Sequence, residues 1–391
     1  MQFEFDDAQL LIRQLTRDVL ARESSVTAVR ELLTDPRGYS EAVWTQLAEL
    51  GLMGVPFPEE YGGQGLGVIE LALVLEEMGR AAYPGPFFAT VVLAGPAILG
   101  GGTEEQKARY LPDLAAGKLK ATVAIHEKQA AWDPTDVQLS ARREGSRYLL
   151  NGSKTLVPYA HVADLLLIAA RTNPQGDPAN GITLFAVPRG TPGLDLRPQT
   201  TLDLTNRISA LDLRGVAVGA DQVIGQVDQG WPILERVLEH AAVGAAAEML
   251  GAARKSLELS VEYVSSRVQF GQTVGSFQAV KHKCAEMLMA VEQAHGAVYY
   301  GAWALTADAD DAALAASVAK AFVSEAARKV CGDAIQVHGG IGFTWDYDLH
   351  LYFKRAKHLE PLYGDADFHR ERAVRLQLRQ LAQQPVAIGV S

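Results

Sequence analysis

The chain has 391 residues, of which 48% are hydrophobic and 21% are charged. This composition is typical of a globular protein with a large core and excludes an intrinsically disordered chain. The formal net charge of −10 disfavours nucleic acid as a partner, because that binding depends on neutralising phosphates with lysine and arginine. The sequence also lacks an apolar run of about 18 residues, so we expect no membrane span.

The first seven residues and the two cysteines predict the compartment. The segment MQFEFDD is acidic and lacks the basic and apolar regions of a secretory signal, so we expect a cytoplasmic protein. Cys284 and Cys331 lie in apolar helical patterns without a CxxC motif or a His-rich neighbourhood. We therefore expect reduced, buried thiols and no metal site.

Hydrophobic spacing divides the chain into three parts, which we place at 1–120, 121–228 and 229–391. In the first part, LLIRQLTRDVL, YSEAVWTQLAELGL and VIELALVLEEMGRAA have apolar residues three and four positions apart, which predicts helices. The second part contains short segments rich in branched residues, such as GITLFAVP and ISALDLRGVAV. They predict antiparallel strands and a small all-β domain.

The third part is again helical. Apolar periodicity predicts helices from about Trp231 to Ser266, Phe277 to Ala307, Asp311 to Val337 and Asp367 to Gln383. Asp367 has the residue type that favours the N-cap of the last helix. The fold class we predict is α+β, mostly α.

Two blocks of this third part carry the clearest chemical signal: Val264–Met287 and Asp333–Ala356. Arg267 ends a long helical pattern and precedes a Phe-Gly break, so its planar guanidinium can project toward a pyrophosphate and bind it bidentately. In the second block, Gly339 and Gly340 follow a helix and allow close ligand approach. Each block alone also has a simpler explanation, a basic residue near a helix C-terminus or a glycine cap.

Taken together, in this order and separation, the blocks resemble the C-terminal half of the acyl-CoA dehydrogenase family, the FAD-dependent desaturases of acyl-CoA thioesters. Three further segments resemble family motifs in family order: Pro58–Arg80, Gly102–Lys118 and Leu150–Thr172. The resemblance therefore covers nearly the whole chain. It implies an N-terminal helical domain, a central antiparallel β-barrel and a C-terminal four-helix bundle that drives tetramerisation. It also implies FAD as cofactor, an acyl-CoA substrate and an electron-transfer flavoprotein as electron acceptor.

The chain departs from the family at the catalytic base. Family members remove a proton from the substrate with a glutamate, which usually stands before the last helix or, in a minority, on the first helix of the bundle. The matching positions here are Gly364 and Ala241. Asp365 lies one residue from the usual site and is a candidate displaced base, although its side chain is one methylene shorter.

The segments that resemble the family's flavin wall are also changed. Where the family reads Thr-Glu-Pro and then Gly-Ser-Asp, this chain has Ile125-His126-Glu127-Lys128 and then Pro134-Thr135-Asp136, in which Thr135 keeps a hydroxyl. Where the family reads Trp-Ile-Thr, it has Leu156-Val157-Pro158. An aromatic surface and a hydroxyl donor are lost. His126 could act as a base, although a lone histidine in a strand is more often structural.

By contrast, the residues that match the family's contacts to the ADP half of FAD are intact. They are Arg267, Gln269, Phe270, Gly271, Val274, Phe277, Gln278, Gln336, Gly339 and Gly340. In the family these motifs reach across the dimer interface to the neighbouring subunit's cofactor. The chain thus resembles the non-catalytic subunit of bacterial α2β2 enzymes, which act on steroid side-chain or other bulky acyl-CoA esters and contain a glutamate-bearing paralogue.

Two alternatives remain open from the residues alone. The chain could be a self-sufficient homotetrameric dehydrogenase that uses Asp365, or a CoA-ester-binding or structural relative without a redox role.

Overall fold

The computed structural model describes residues 4–129 and 131–383. Its N-terminal part is helical, as the apolar periodicity predicts. The helices are α1 (Asp7–Glu23), α2 (Val26–Leu32), α3 (Glu41–Glu49), α4 (Val68–Arg80), α5 (Gly95–Gly101) and α6 (Glu104–Ala115). A π-helical segment, Phe88–Ala94, precedes α5. No side chain caps it, and the backbone N–H of Gly95 at its end donates a hydrogen bond to the carbonyl oxygen of Thr90.

Local capping and buried charge together place α1 against α4. Asp6 and Gln9 exchange side-chain and backbone hydrogen bonds in a capping box that starts α1. The buried carboxylate of Glu77 on α4 then accepts hydrogen bonds from Arg13 and Arg17 of α1. Because the two arginines satisfy a carboxylate that would otherwise be costly to bury, they fix the rotation of α1.

The central part forms one sheet of eight strands. They are β1 (Ala121–Ala124), β2 (Ser140–Glu144), β3 (Arg147–Pro158), β4 (Leu165–Arg171), β5 (Ile182–Pro188), β6 (Leu194–Gln199), β7 (Ile208–Gly219) and β8 (Val223–Ile224). The strand order is β6-β7-β3-β2-β4-β5-β8, and β1 lies beside β4. The two segments named from the sequence, GITLFAVP and ISALDLRGVAV, correspond to β5 and β7.

Two expectations about this sheet need correction. The pairing is not wholly antiparallel, because β1 runs parallel to β4 and β2 meets β4 in a parallel bridge. The strands described here also form an open path from β6 to β8 rather than a closed barrel. The two ends of the path, β6 and β8, are not paired with each other among the described strands. The long β3–β7 pair contains register shifts after Leu150 and after Lys154, which bend it.

The C-terminal part is a bundle of four longer helices and one shorter helix, α10. The helices are α7 (Gly230–Ser266), α8 (Gln278–Thr306), α9 (Ala312–His338), α10 (Leu349–Leu359) and α11 (Ala366–Gln383). A small hairpin, β9 (Val268–Gln269) with β10 (Gln272–Thr273), links α7 to α8. The four predicted helices are confirmed, whereas α10 was missed because the glycines and aspartates before it favour turns.

A buried arginine on α10 joins the three parts. Arg355 donates hydrogen bonds to Asp203 of the β region at 2.9 Å and to Glu248 of α7 at 3.0 Å. It also donates to the carbonyl oxygen of Tyr83 in the N-terminal part at 3.0 Å. Since all three nitrogens of this buried guanidinium donate hydrogen bonds, it tolerates little displacement, and the cluster holds the walls of the cleft described below in register.

Candidate active site

A cleft lies where the sheet meets α7, α11 and the segment before α11. It contains two cavities, of about 320 Å³ and about 440 Å³. Trp132 and Phe368 line both of them. Tyr363 and His369 line the smaller cavity, and Leu156 lines the larger one. The two aromatic side chains therefore stand between the cavities.

The indole of Trp132 is held by contacts from both walls. Its Nε1 donates a hydrogen bond to the carbonyl oxygen of Pro361 at 3.1 Å. Its ring lies edge-on to His126, with centroids 3.3 Å apart, and 5.3 Å from the ring of Tyr363. Tyr363 in turn stacks on Phe88 of the π-helical segment at 5.2 Å. An aromatic row thus crosses the cleft from the sheet to the N-terminal part.

The structure leaves no room for a base at Gly364. This residue is buried and has φ +97°, a conformation that side chains rarely adopt. A Cβ atom here would collide with Phe368 Cδ1 and would lie 2.7 Å from His369 Nε2. Ala241, at the alternative position, is fully buried in α7 and has no ionisable group. Neither position supplies a carboxylate.

A buried lysine, not a carboxylate, neighbours Gly364. Lys320 of α9 donates hydrogen bonds to the carbonyl oxygens of Gly364 at 2.8 Å and Glu360 at 2.9 Å, and to Ser324 Oγ at 3.1 Å. Burial lowers the pKa of Lys320 to about 7, a shift that the charges of Asp365 and Glu360 only partly oppose. The segment before α11 is therefore held by an amine that loses its proton near neutral pH.

Asp365, the candidate displaced base, serves another purpose in this structure. Its Oδ1 accepts a hydrogen bond from the backbone N–H of Phe368 at 2.8 Å, which makes it the N-cap of α11. The prediction that Asp367 is this cap is wrong, since Asp367 instead pairs with Arg370 at 3.0 Å. Asp365 is exposed to solvent, unlike the water-poor carboxylates that act as general bases.

His126, the other candidate base, is buried on the sheet side of the cleft. It is 3% exposed, its Nδ1 lies 3.4 Å from Asp136 Oδ2, and its Nε2 has no partner among the described atoms. Burial lowers the pKa of His126 despite the nearby Asp136 carboxylate. The ring is consequently neutral at physiological pH, and the indole of Trp132 separates it from the smaller cavity.

Other polar side chains on the sheet side of the cleft already have hydrogen-bond partners. Thr135 donates its hydroxyl hydrogen to Asp133 at 2.8 Å. The buried Lys154, whose pKa burial lowers to about 8, donates to Glu127 at 2.7 Å.

The two blocks with the ADP-type residues come together at the other end of the bundle. Tyr263, one turn before Arg267, stacks on His338 at 4.3 Å, and His338 precedes Gly339. Phe270 and Gly271 form the tip of the β9–β10 hairpin with φ +54° and +79°, as a tight hairpin turn requires. Phe270 is 91% exposed. This surface faces outward and is open to a neighbouring molecule.

Three family models match the chain. The acyl-CoA dehydrogenase N-terminal domain matches residues 6–118, the middle domain residues 122–211 and the C-terminal domain residues 228–377. The chain belongs to the acyl-CoA dehydrogenase family.

Relatives of this acyl-CoA dehydrogenase family member align along nearly its whole length. A probable acyl-CoA dehydrogenase of Bacillus subtilis, YngJ, is 33% identical over 374 residues, which cover 95% of this chain and 98% of the relative. The structure of butyryl-CoA dehydrogenase from Megasphaera elsdenii has a TM-score of 0.90 at 29% identity, covering 97% and 100% of the two chains. The ChsE4-ChsE5 complex from Mycobacterium tuberculosis gives a TM-score of 0.88 at 27% identity, covering 99% and 100%.

FAD is the cofactor of the acyl-CoA dehydrogenase family, and the two halves of its site differ in this chain. At the end that matches the family's ADP contacts, a Cβ atom added to Gly271, Gly339 or Gly340 would meet open space, so the backbone there is accessible, as is the exposed Arg267. At the flavin end, Trp132 crosses the cleft and Leu156 replaces the usual aromatic wall. The residues present fit the nucleotide half and do not fit the ring.

The structure also reveals residues that sequence reasoning missed. Trp132 and Tyr363 line the cleft, Phe88 stacks on Tyr363, and Lys320 holds the segment before α11, and no role was assigned from the sequence to Trp132, Phe88 or Lys320. Lys320 had a detectable signal, a single cation on an alanine-rich helical face. Trp132 and Phe88 had none, because only tertiary packing brings a loop, a π-helical segment and Tyr363 together.

The described residues give no sign of a metal or membrane site. They contain no group of three or more side chains placed to ligate a metal. In the same part of the chain, every helix is too short or too polar to cross a bilayer. Both cysteines are free thiols, with Cys331 buried as expected and Cys284 only partly buried.

Proposed function

We propose that this chain is the non-catalytic subunit of an FAD-dependent acyl-CoA dehydrogenase and supplies ADP-side contacts to a cofactor whose flavin is held by a glutamate-bearing paralogue. The observation that carries the proposal is the closed geometry at Gly364, where φ +97° and the neighbouring Phe368 and His369 exclude a catalytic side chain. A cleft without a base cannot perform the α-proton abstraction that the reaction requires.

The hydrogen bonds around Gly364 support the same conclusion. Lys320 donates to the Gly364 carbonyl, and Asp365 caps α11. Both side chains are thus engaged in holding the backbone of this segment, and Asp365 is exposed to solvent, whereas a general base is usually desolvated.

The role we propose for the chain's own residues is binding and orientation. FAD, when bound, supplies hydride acceptance. Arg267 would hold the pyrophosphate bidentately from the end of α7, because a guanidinium fork matches phosphate oxygens. Gln336 at the end of α9 and the backbone at Gly339 and Gly340 would contact the adenosine side. The hairpin tip at Phe270 would enter the partner's surface and exclude water.

Similarity to the ChsE4-ChsE5 complex supports assembly with an unlike chain of the same fold. On this proposal, the partner provides the flavin wall and the glutamate, so one pair of unlike chains makes one complete site. Two such pairs give a heterotetramer. The acyl group is selected by the partner's cleft, since Trp132, Tyr363 and Phe88 fill the corresponding space here.

Flavin quantitation combined with native mass measurement tests the proposal. The chain should be purified alone and after co-expression with a paralogue that carries the family's glutamate. We expect little flavin and no dehydrogenation alone, and one FAD per pair of unlike chains in a tetramer. One tightly bound FAD per chain in an active homotetramer would establish the self-sufficient alternative instead. No flavin in either preparation would support a non-redox relative.

A further inference from the structure

Three strained residues meet in the cleft. Trp132, Leu156 and Tyr363 have φ values of +50°, +54° and +61°, in the left-handed region that non-glycine residues rarely occupy. They come from three separate segments, yet Trp132 lines a cavity with Leu156 and another with Tyr363. Such strain persists only where the surroundings impose it, and it clusters at functional sites. The concentration of strain in one cleft requires a functional explanation.

The loop that carries Trp132 is anchored on both sides of the indole. After it, Asp133 accepts hydrogen bonds from the backbone and hydroxyl of Thr135, at 2.9 Å and 2.8 Å. Arg171 donates to the carbonyl oxygens of Pro134 at 2.6 Å and Val137 at 2.9 Å. Before it, Glu127 accepts from Lys154 and from the backbone of Leu139. These bonds hold the chain at Glu127 on one side of the indole and from Asp133 to Val137 on the other.

The indole also covers an unused hydrogen-bond acceptor. His126 is buried, its Nδ1 faces Asp136, and its Nε2 has no partner among the described atoms. With Nδ1 as the donor to the carboxylate, Nε2 is left as an acceptor. Buried acceptors without partners are rare, because each costs free energy. A planar ring in place of the indole, with an N–H at its edge, would satisfy His126.

We propose that Trp132 is the residue that excludes the flavin from this subunit, and that its indole occupies the site of a planar heteroaromatic ring. The indole and Phe368 stand between the cavities of about 320 Å³ and about 440 Å³, so removing the indole opens space between two cavities that are each of ligand-binding size. The ligand class is a flat tricyclic ring with an edge N–H, such as isoalloxazine. This inference deepens the proposed function, since it names the side chain that prevents a second flavin site in each pair.

Riboflavin is the probe that separates this inference from the ADP-side contacts, because it carries the ring without the pyrophosphate and adenosine. The experiment titrates riboflavin into the full-length chain and follows the quenching of its fluorescence. We expect Trp132→Gly and Trp132→Ala to bind riboflavin at least tenfold more tightly than the wild type. The matched control is Trp345→Ala, an exposed tryptophan stacked on His350, which should leave riboflavin binding unchanged.

Two further variants test the details. Trp132→Leu keeps an apolar side chain of moderate size and guards against a folding defect in the smaller variants. It should give an intermediate affinity. Adding His126→Phe to Trp132→Ala should remove most of the gain, because the ring's N–H loses its acceptor. Melting temperatures confirm that each variant is folded.

The inference is overturned if the folded Trp132 variants bind riboflavin no more tightly than the wild type does. Its failure is distinguishable from failure of the proposed function. The latter is decided by the FAD count per pair of unlike chains in the wild-type assembly, which the riboflavin titration does not measure.

Discussion

The Nζ atom of Lys320 donates a hydrogen bond of 2.8 Å to the carbonyl oxygen of Gly364. In the acyl-CoA dehydrogenase family, the position of Gly364 usually holds the catalytic glutamate. Here an amine on α9 binds the backbone of that position, and Phe368 and His369 close over it. The loss of the base is therefore accompanied by packing that would resist its return.

Restoring a carboxylate at Gly364 should not restore activity. Gly364→Glu and the matched variant Gly364→Ala should each lower the free energy of unfolding by about 1–3 kcal/mol, because the Cβ atom and the positive φ cause the strain in both. Chemical denaturation measures the stability, and turnover of an acyl-CoA by the chain alone measures the function. Dehydrogenation by the Glu variant would contradict the structure's account of this position.

The pH dependence of stability should contain a contribution from Lys320. Burial lowers its pKa to about 7, below the unfolded value of about 10.4. Between these pH values the unfolded chain binds the extra proton, so this contribution to the free energy of unfolding rises with pH and is lost as pH falls through about 7. Lys320→Met should flatten the rise between pH 7 and 10, as denaturant titrations at several pH values would show. An unchanged pH profile would mean that the amine is not perturbed.

Arg267→Ala should reduce the FAD content of the assembled enzyme more than its melting temperature. The loss of two charge-assisted hydrogen bonds costs roughly 1.5–3 kcal/mol each, while Arg267 is exposed and contributes little to the core. Arg143→Ala removes another exposed arginine, on β2 and away from both cavities, and should leave the FAD content intact. Equal flavin occupancy in the two variants would remove Arg267 from the cofactor site.

Asp365 should prove to be a helix cap rather than a base. Asp365→Asn keeps a capping oxygen for Phe368 N–H and should leave stability nearly unchanged, whereas Asp365→Ala should cost about 1 kcal/mol. Neither should greatly lower the turnover of the proposed heteromeric enzyme, because on that proposal a glutamate of the partner performs the proton abstraction. A fall in turnover of roughly a thousandfold for Asp365→Asn would instead establish Asp365 as the base.

The sequence by itself determined the family, the order of helical and strand regions, and the long helices of the bundle. Apolar periodicity over tens of residues is strong enough to predict α7, α8 and α9, because each buries a continuous face. The sequence also predicts that the family's glutamate is missing, since Gly364 and Ala241 stand at its matching positions and neither carries a carboxylate. The assignment of Arg267 and Gln336 to the ADP side of the cofactor is a prediction of the same kind.

Only the tertiary structure decided what replaced the lost machinery. Trp132, Tyr363 and Phe88 come from three separate segments, and their contact depends on how the three parts of the chain pack. The role of Asp365 depends on where α11 begins, which is a matter of one or two residues that periodicity does not resolve. The open sheet and the parallel β1–β4 pair depend on non-local strand pairing, for which the local pattern is the same as in a barrel. Local patterns therefore predicted the helices and strands, while long-range contacts formed the cleft and the aromatic row that crosses it.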